Sequence, residues 1–181
     1  MTKLLVFQSD FGLVDGAVAA MYGVALGVDT DIKVYDLTHN IPPFNIWEAS
    51  YRLIQTVPYW PEGSVFVSVV DPGVGSSRKS VVAKTKQGQY IVSPDNGTLT
   101  HIKRLIGIEE VREIDEAKCR RENSENSYTF HGRDVYAYTG AQLASGKLSF
   151  EDVGNLLSVE RIVEFDDIPA TLEDGVIKCS I

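Results

Sequence analysis

Four short segments concentrate the residue types that do chemistry. Asp10 ends an apolar run and precedes Phe11-Gly12, and Asp15 follows in the same loop, SDFGLVDG (9–16). Each acid has two readings. One is structural: Asp10 as a turn former, Asp15 as a helix cap or first-turn acid favoured by the helix dipole. The other is a carboxylate that accepts hydrogen bonds from both hydroxyls of a cis-diol, as on a ribose. Asp71 follows the most apolar run of the chain, SVFVSVV (64–70), and Arg78 follows seven residues later across a glycine loop. Asp71 is either a turn residue or one half of a charged pair, the loop bringing the guanidinium back over the carboxylate. His131 lies in TFHGRD (129–134) between an aromatic and Gly132, where an imidazole is structural or handles a proton. In SPDNGTLT (93–100), Pro94, Asn96 and Gly97 read on their own as a loop and a helix start. Arg133 and Asp134 read as a local ion pair or a first-turn acid, and His39 and His101 as structural. Phe44, Trp47, Tyr59 and Trp60 read as packing, but Phe44 sits in a loop where it can also flank a ring.

Composition narrows the classes. The 181 residues carry 17 Lys and Arg against 25 Asp and Glu, a net charge of −8. That balance argues against a general nucleic-acid binder, which needs a basic face, and leaves a small cationic or zwitterionic substrate open. With 44% hydrophobic and 23% charged residues the chain is an ordinary globular one. At this size about 70% of the extended chain's surface can be buried. The two cysteines, Cys119 and Cys179, have no metal-ligand spacing and read as reduced thiols in a cytoplasm. No apolar run reaches membrane-spanning length, and the N-terminal apolar stretch reads as a strand rather than a signal peptide.

The elements that must position these residues alternate. Strands are expected at 3–7, 32–37, 64–70, 79–85, 89–93 and 108–114, the fourth and fifth joined by a Gln87-Gly88 turn. Helices are expected at 15–28, with Val18, Met21, Tyr22, Ala25 and Leu26 on one face, and at 45–57, 97–106 and 133–145; residues 115–127 read as a polar loop. This order predicts an α/β layered sandwich with a mostly parallel central sheet flanked by helices. Ligands in such folds bind beyond the carboxyl ends of strands. The loops after strands one, three and five are SDFGLVDG, DPGVGSSR and SPDNG, and all contain Asp and Gly. Neither a dinucleotide nor a P-loop fingerprint is present. Residues 1–168 are expected to form one α/β domain. Residues 169–181 read either as a linker and the first strand of a truncated C-terminal β domain or as a final edge strand.

Five segments occur in one order over about 125 residues: SDFGLVDG, DLTHNIPPF, VVDPGVGSSR, SPDNGTLT and TFHGRD. Together they resemble the S-adenosyl-L-methionine (SAM) hydroxide adenosyltransferases, adenosine-forming SAM hydrolases related to fluorinases and chlorinases. The resemblance implies that water displaces methionine at the ribose C5′. It implies catalytic Asp71, Arg78 and His131, and substrate-binding Asp10, Asp15, Phe44, Asn96 and Gly132. A halogenase is expected to carry an aromatic at position 71 and a serine at 132, so Asp71 and Gly132 point to the hydrolase branch. It further implies a homotrimer with SAM at subunit interfaces and adenine contacts from a C-terminal β domain. No metal and no cofactor are expected, SAM being the substrate. Two other readings stay open: a metal-assisted phosphoesterase using Asp10, Asp71 and His131, and a non-catalytic nucleoside- or SAM-binding module.

Overall fold

The computed structural model describes residues 3–124, 129–166 and 171–178. Its centre is a seven-stranded sheet. Strands β1 (Leu4–Ser9) and β3 (Val65–Val69) are continuous apolar runs because both of their faces are covered. β2 (Lys33–Thr38), β4 (Ser80–Thr85), β5 (Tyr90–Pro94), β6 (Ile108–Glu113) and β7 (Leu156–Leu157) complete the order β2-β1-β3-β5-β4-β6-β7. β2, β1, β3 and β5 pair in parallel; β4 lies antiparallel to both β5 and β6, and β7 antiparallel to β6. Five of the seven strands therefore point the same way, and the α/β expectation holds.

Alternate residues of the strands feed two cores, as the two-residue pleat requires. Leu5, Phe7, Val65, Val67 and Val69 pack against Val18, Met21 and Ala25 of helix α1 (Ala17–Val28). Val6, Phe66, Val81 and Ile91 pack on the other face against Leu53 of α2 (Ile46–Thr56) and Ile102 of α3 (Thr100–Leu105). Asn45 caps α2, its side chain accepting from Glu48 N at 2.9 Å.

Three expectations need correction. The polar loop at 115–127 contains a short helix, α4 (Glu116–Cys119), capped by Asp115, whose side chain accepts from Ala117 N. The last helix is composite: a π-helical turn, Gly132–Ala137, runs into α5 (Tyr138–Ser145). The C-terminal strand is not an edge of the main sheet: β9 (Val176–Lys178) pairs with β8 (Thr171–Glu173) in a separate hairpin. Its short length and polar surroundings left β8 unread in the sequence. Cys119 is buried and unpaired, and burial pushes its thiol up to about 11; Cys179 lies outside the described residues. No helix among the described residues is long and apolar enough to cross a membrane.

Candidate active site

Parallel pairing brings the carboxyl ends of β1, β3 and β5 to one edge of the sheet, where the loops with Asp10, Asp71 and Asn96 leave it. The antiparallel β4 starts at that same edge, its first residue opposite the last of β5. The turn Pro72–Ser77 therefore returns the chain to its own starting point. Two backbone bonds tighten it, Val74 N to Asp71 O and Ser76 N to Gly73 O. The result is a bidentate pair: Arg78 Nε donates to Asp71 Oδ1 at 2.8 Å and Nη2 to Oδ2 at 2.5 Å. The side chains are only 11% and 6% exposed, so the pair is nearly dry. Burial works against the Arg78 charge, but its bonds to Asp71 and the nearby charges hold its pKa above the ordinary value.

Two residues that sequence reasoning passed over complete this cluster. Arg78 Nη1 donates to Ser80 Oγ at 2.9 Å. The hydroxyl of the fully buried Tyr136 lies 3.1 Å from Ser80 Oγ and donates to Asp71 Oδ2 at 3.3 Å. The guanidinium also stands over the Tyr136 ring, 5.7 Å from its centroid. Burial first, and then the charge of Asp71, push the phenol far up, so it remains a donor. Each Asp71 oxygen thus receives at least one hydrogen bond.

His131 approaches this cluster through Tyr136, with ring centroids 6.3 Å apart. The π-helical turn brings together residues five apart in sequence. No 3.6-residue periodicity places them on one face, which is why Tyr136 could not be found from spacing. His131 is buried, and its Nε2 lies 3.3 Å from Glu116 Oε1 on α4. Arg120 Nη2 is 2.6 Å from the other Glu116 oxygen. The His131 bond is the largest influence on Glu116; with the Arg120 bond it outweighs burial and holds the carboxyl down to about 2.

Gly132 is a point of close approach. A Cβ there would stand 2.9 Å from Val69 Cγ1 and 3.1 Å from Phe11 Cζ, so a side chain would require the Val69 and Phe11 side chains to give way. Between Phe11, Phe130, Gly132 and Arg133 opens a cleft of about 480 Å³, with Asp15 on its rim.

The remaining expected residues are placed as follows. Asp10 Oδ2 accepts from Phe44 N at 2.8 Å, tying the loop after β1 to the loop after β2. Phe44 is exposed and has φ 65°. The same two loops are joined by Gly12 N to His39 O at 2.8 Å and by Ser9 Oγ to His39 Nδ1 at 2.7 Å. His39, buried, also meets Asp36 Oδ1 at 3.0 Å, and Asp36 accepts from Tyr22 OH as well. Asp15 Oδ1 accepts from Ala17 N in a turn one residue ahead of the α1 N-cap, which is Gly16 and carries no side-chain cap, so Asp15 is neither the cap nor a first-turn acid. Asn96 is engaged at both ends of its amide: Nδ2 donates to Val70 O at 2.9 Å, and Oδ1 accepts from Thr98 N and Oγ1. It holds the strand end beside Asp71. Asp134, adjacent to Arg133, forms the local ion pair read from the sequence. Asp10, Asp71 and His131 do not converge on a common point; among the described residues no three His, Cys, Asp or Glu side chains form a group that could hold a metal ion.

Comparison with known proteins gives this edge a lineage. The chain is 40% identical over 172 residues to the (R)-S-adenosyl-L-methionine hydrolase of Methanocaldococcus jannaschii, covering 90% of this chain and 63% of that protein. It is 28% identical over 197 residues to a fluorinase of an Actinoplanes species, covering 96% of this chain and 65% of that one. The crystal structure of an uncharacterized conserved protein from Thermotoga maritima superposes with a TM-score of 0.86 at 37% identity, covering 92% of this chain and 62% of that chain. The chain thus spans about 63% of the length of the methanogen relative. Residues 5–154 match the SAM hydroxide adenosyltransferase N-terminal domain, and the chain belongs to that family.

Proposed function

We propose that the protein hydrolyses S-adenosyl-L-methionine, water attacking the ribose C5′ to give adenosine and L-methionine. The buried Asp71–Arg78 pair, linked through Tyr136 to His131 at the strand edge, carries this reading. The relatives' name, (R)-S-adenosyl-L-methionine hydrolase, supplies the substrate.

The substrate's sulfonium leaves as a neutral thioether, so departure needs no general acid. The nucleophile is the obstacle. Forming free hydroxide from water of pKa 15.7 at neutral pH costs about 12 kcal/mol. A positioned base contributes roughly 10²- to 10⁴-fold, so the proton leaves during attack. Asp71, with both oxygens already accepting hydrogen bonds, is read as the orienting carboxylate. His131 is the proton acceptor in this reading, and the Asp71–Arg78 pair orients water and stabilises the developing hydroxide. As oxygen attacks, hydroxide-like and sulfonium charges cancel, which a dry pocket favours. Asp10 orients the ribose so that oxygen, C5′ and sulfur lie in line, with Asp15 and Phe44 around it and Asn96 holding the strand end. Asp71 and Gly132, where a halogenase is expected to carry an aromatic and a serine, support the hydrolase branch. No cofactor or metal is assigned a role, because the leaving group is built into the substrate.

The assembly reading is a homotrimer with sites at subunit interfaces. Leu13, Val14 and Phe44 support it, being apolar and exposed around Asp10. Residues 1–168 are read as the catalytic domain and 169–181 as part of a separate unit, supported by the hairpin's pairing apart from the main sheet. The reduced, buried Cys119 supports a cytoplasmic setting.

The test is incubation of the full-length protein with SAM in ¹⁸O-labelled water. Adenosine labelled at its 5′-oxygen, with methionine and with no effect of a chelator, is the expected result. Binding measured by calorimetry without turnover rejects the enzyme in favour of a nucleoside-binding module. Loss of activity on chelation favours the phosphoesterase class.

A further inference from the structure

Asp10 is presented by a loop whose two sides are tied to one residue, His39. Ser9 Oγ, just before Asp10, lies 2.7 Å from His39 Nδ1. Gly12 N, just beyond Phe11, donates to the His39 carbonyl at 2.8 Å. Phe11 N donates to Ser9 Oγ at 3.2 Å, so both neighbours of Asp10 are held through the same hydroxyl. Ser9 and His39 are buried. Asp10 itself is half-buried; its Oδ2 accepts from Phe44 N, and Oδ1 has no hydrogen bond among the described residues.

The far side of the ring is fixed as well. His39 Nε2 is 3.0 Å from Asp36 Oδ1 on β2, and Tyr22 OH on α1 donates to that same oxygen. Burial, and then the bond to Asp36, push the Tyr22 phenol far up, so it stays a donor. A register shift between β1 and β2 brings the ring to its place. Phe7 pairs with Asp36, but Gln8 pairs with Thr38, one extra residue having entered β2. Continued in that register, the residue opposite Ser9 is His39; without the shift it would be Thr38. The hydrogen-bond directions agree with a neutral imidazole. The Asp36 carboxylate accepts from Nε2–H, and Ser9 Oγ, which already accepts from Phe11 N, gives its own proton to Nδ1.

We infer that His39 is a positioning residue for the ribose: through Ser9 and Gly12 it sets the loop that aims Asp10 at the two sugar hydroxyls. The inference rests on the reading of Asp10 as the carboxylate that takes the ribose diol. His39 itself touches no substrate. Its removal therefore costs recognition of the diol rather than affinity in general, and that separates positioning from a purely structural role.

The test is calorimetry of the full-length protein with adenosine and with 2′-deoxyadenosine, which lacks one of the two hydroxyls. In His39→Ala the preference for adenosine over the deoxynucleoside falls about fivefold, as for loss of one well-aligned hydrogen bond. Ser9→Ala, a smaller change that leaves the imidazole in the chain, gives the same selective loss and serves if His39→Ala does not fold. His39→Asn, whose side-chain oxygen reaches about as far as Nδ1 and accepts from Ser9, restores part of the preference. An equal weakening of both nucleosides in the folded variants overturns the inference. So does wild-type preference in His39→Ala and Ser9→Ala while Asp10→Ala loses it, and that result leaves the reading of Asp10 standing. Wild-type preference in Asp10→Ala overturns that reading and the inference with it.

Discussion

Among the described residues, Asp134 and Asp71 both have nearly buried side chains gripped by arginine, and they do different things. Asp134 is completely buried, while its partners Arg133 and Arg121 keep 34% and 40% of their side chains exposed. Burial pushes its pKa up, but the two guanidiniums outweigh burial and hold it below the ordinary value. Arg121 N also donates to the Asp134 carbonyl. This pair staples the segment after α4 to the π-helical turn. In the Asp71–Arg78 pair both partners are nearly buried, and the carboxylate has a third donor in Tyr136. It stands beyond a strand's carboxyl end rather than across two helical segments. The chemistry of the two pairs is alike; location separates a fastening from a site.

The largest expected effect breaks the comparison in two. Asp71→Asn lowers turnover of the folded protein by about 10²- to 10³-fold, with the amide still able to accept from Arg78. Asp134→Ala costs about 1–3 kcal/mol of stability by removing a buried acceptor of several hydrogen bonds and leaving a void, its two half-exposed arginines turning to solvent, and the folded fraction turns over SAM at close to the wild-type rate. Denaturant melts and active-site-normalised kinetics on both variants decide it; equal loss of turnover in the two erases the distinction.

A smaller effect sharpens the part played by Tyr136. Tyr136→Phe removes the donor to Asp71 and leaves Ser80 and Asp71 one bond short, at a cost of about 1–3 kcal/mol. It is expected to lower kcat about tenfold while KM changes little. No change in kcat would show that Arg78 alone holds the carboxylate in place.

The smallest is a pH effect. Glu116 is depressed from its ordinary 4.5 to about 2. A group whose folded pKa is lowered contributes stability that is complete above its unfolded value and is lost as pH falls through the folded one. Glu116→Gln is therefore less stable than wild type at pH 6 to 7, the gap narrows below about pH 4.5, and it closes near pH 2. Urea midpoints across that range measure it. A gap that does not change with pH shows that the carboxylate's charge is not what stabilises the fold.

Much of the site was legible in the primary structure. The apolar runs of β1, β3 and β5 were legible because strands buried on both faces need unbroken hydrophobic sequence. The loops that follow them stood out because turns of that kind collect Asp and Gly. The Asp71–Arg78 pairing was legible as a possibility, since seven residues with two glycines are enough to fold back. Arg133–Asp134 was legible as a local pair because the residues are adjacent. Glu116, Arg120 and Tyr136 were not. α4 is one turn long, too short to show a period, and it lay inside a segment that reads as polar loop. Tyr136 meets His131 only because a π-helical turn shifts the spacing, and a residue fully buried by tertiary packing looks in the sequence like any core aromatic.

Local sequence by itself determined the long strands and helices, where the chain turns between them, and which acidic loops leave the strand ends. These depend on interactions between near neighbours, which spacing records. Only the tertiary structure decided that β4 returns antiparallel beside β5 and delivers Arg78 to Asp71. It alone set Glu116 against His131, and gave one buried aspartate a fastening role and another a place at the strand edge. Those outcomes depend on strand order, burial and ångström-scale distances between residues far apart in the chain, and linear spacing does not encode them.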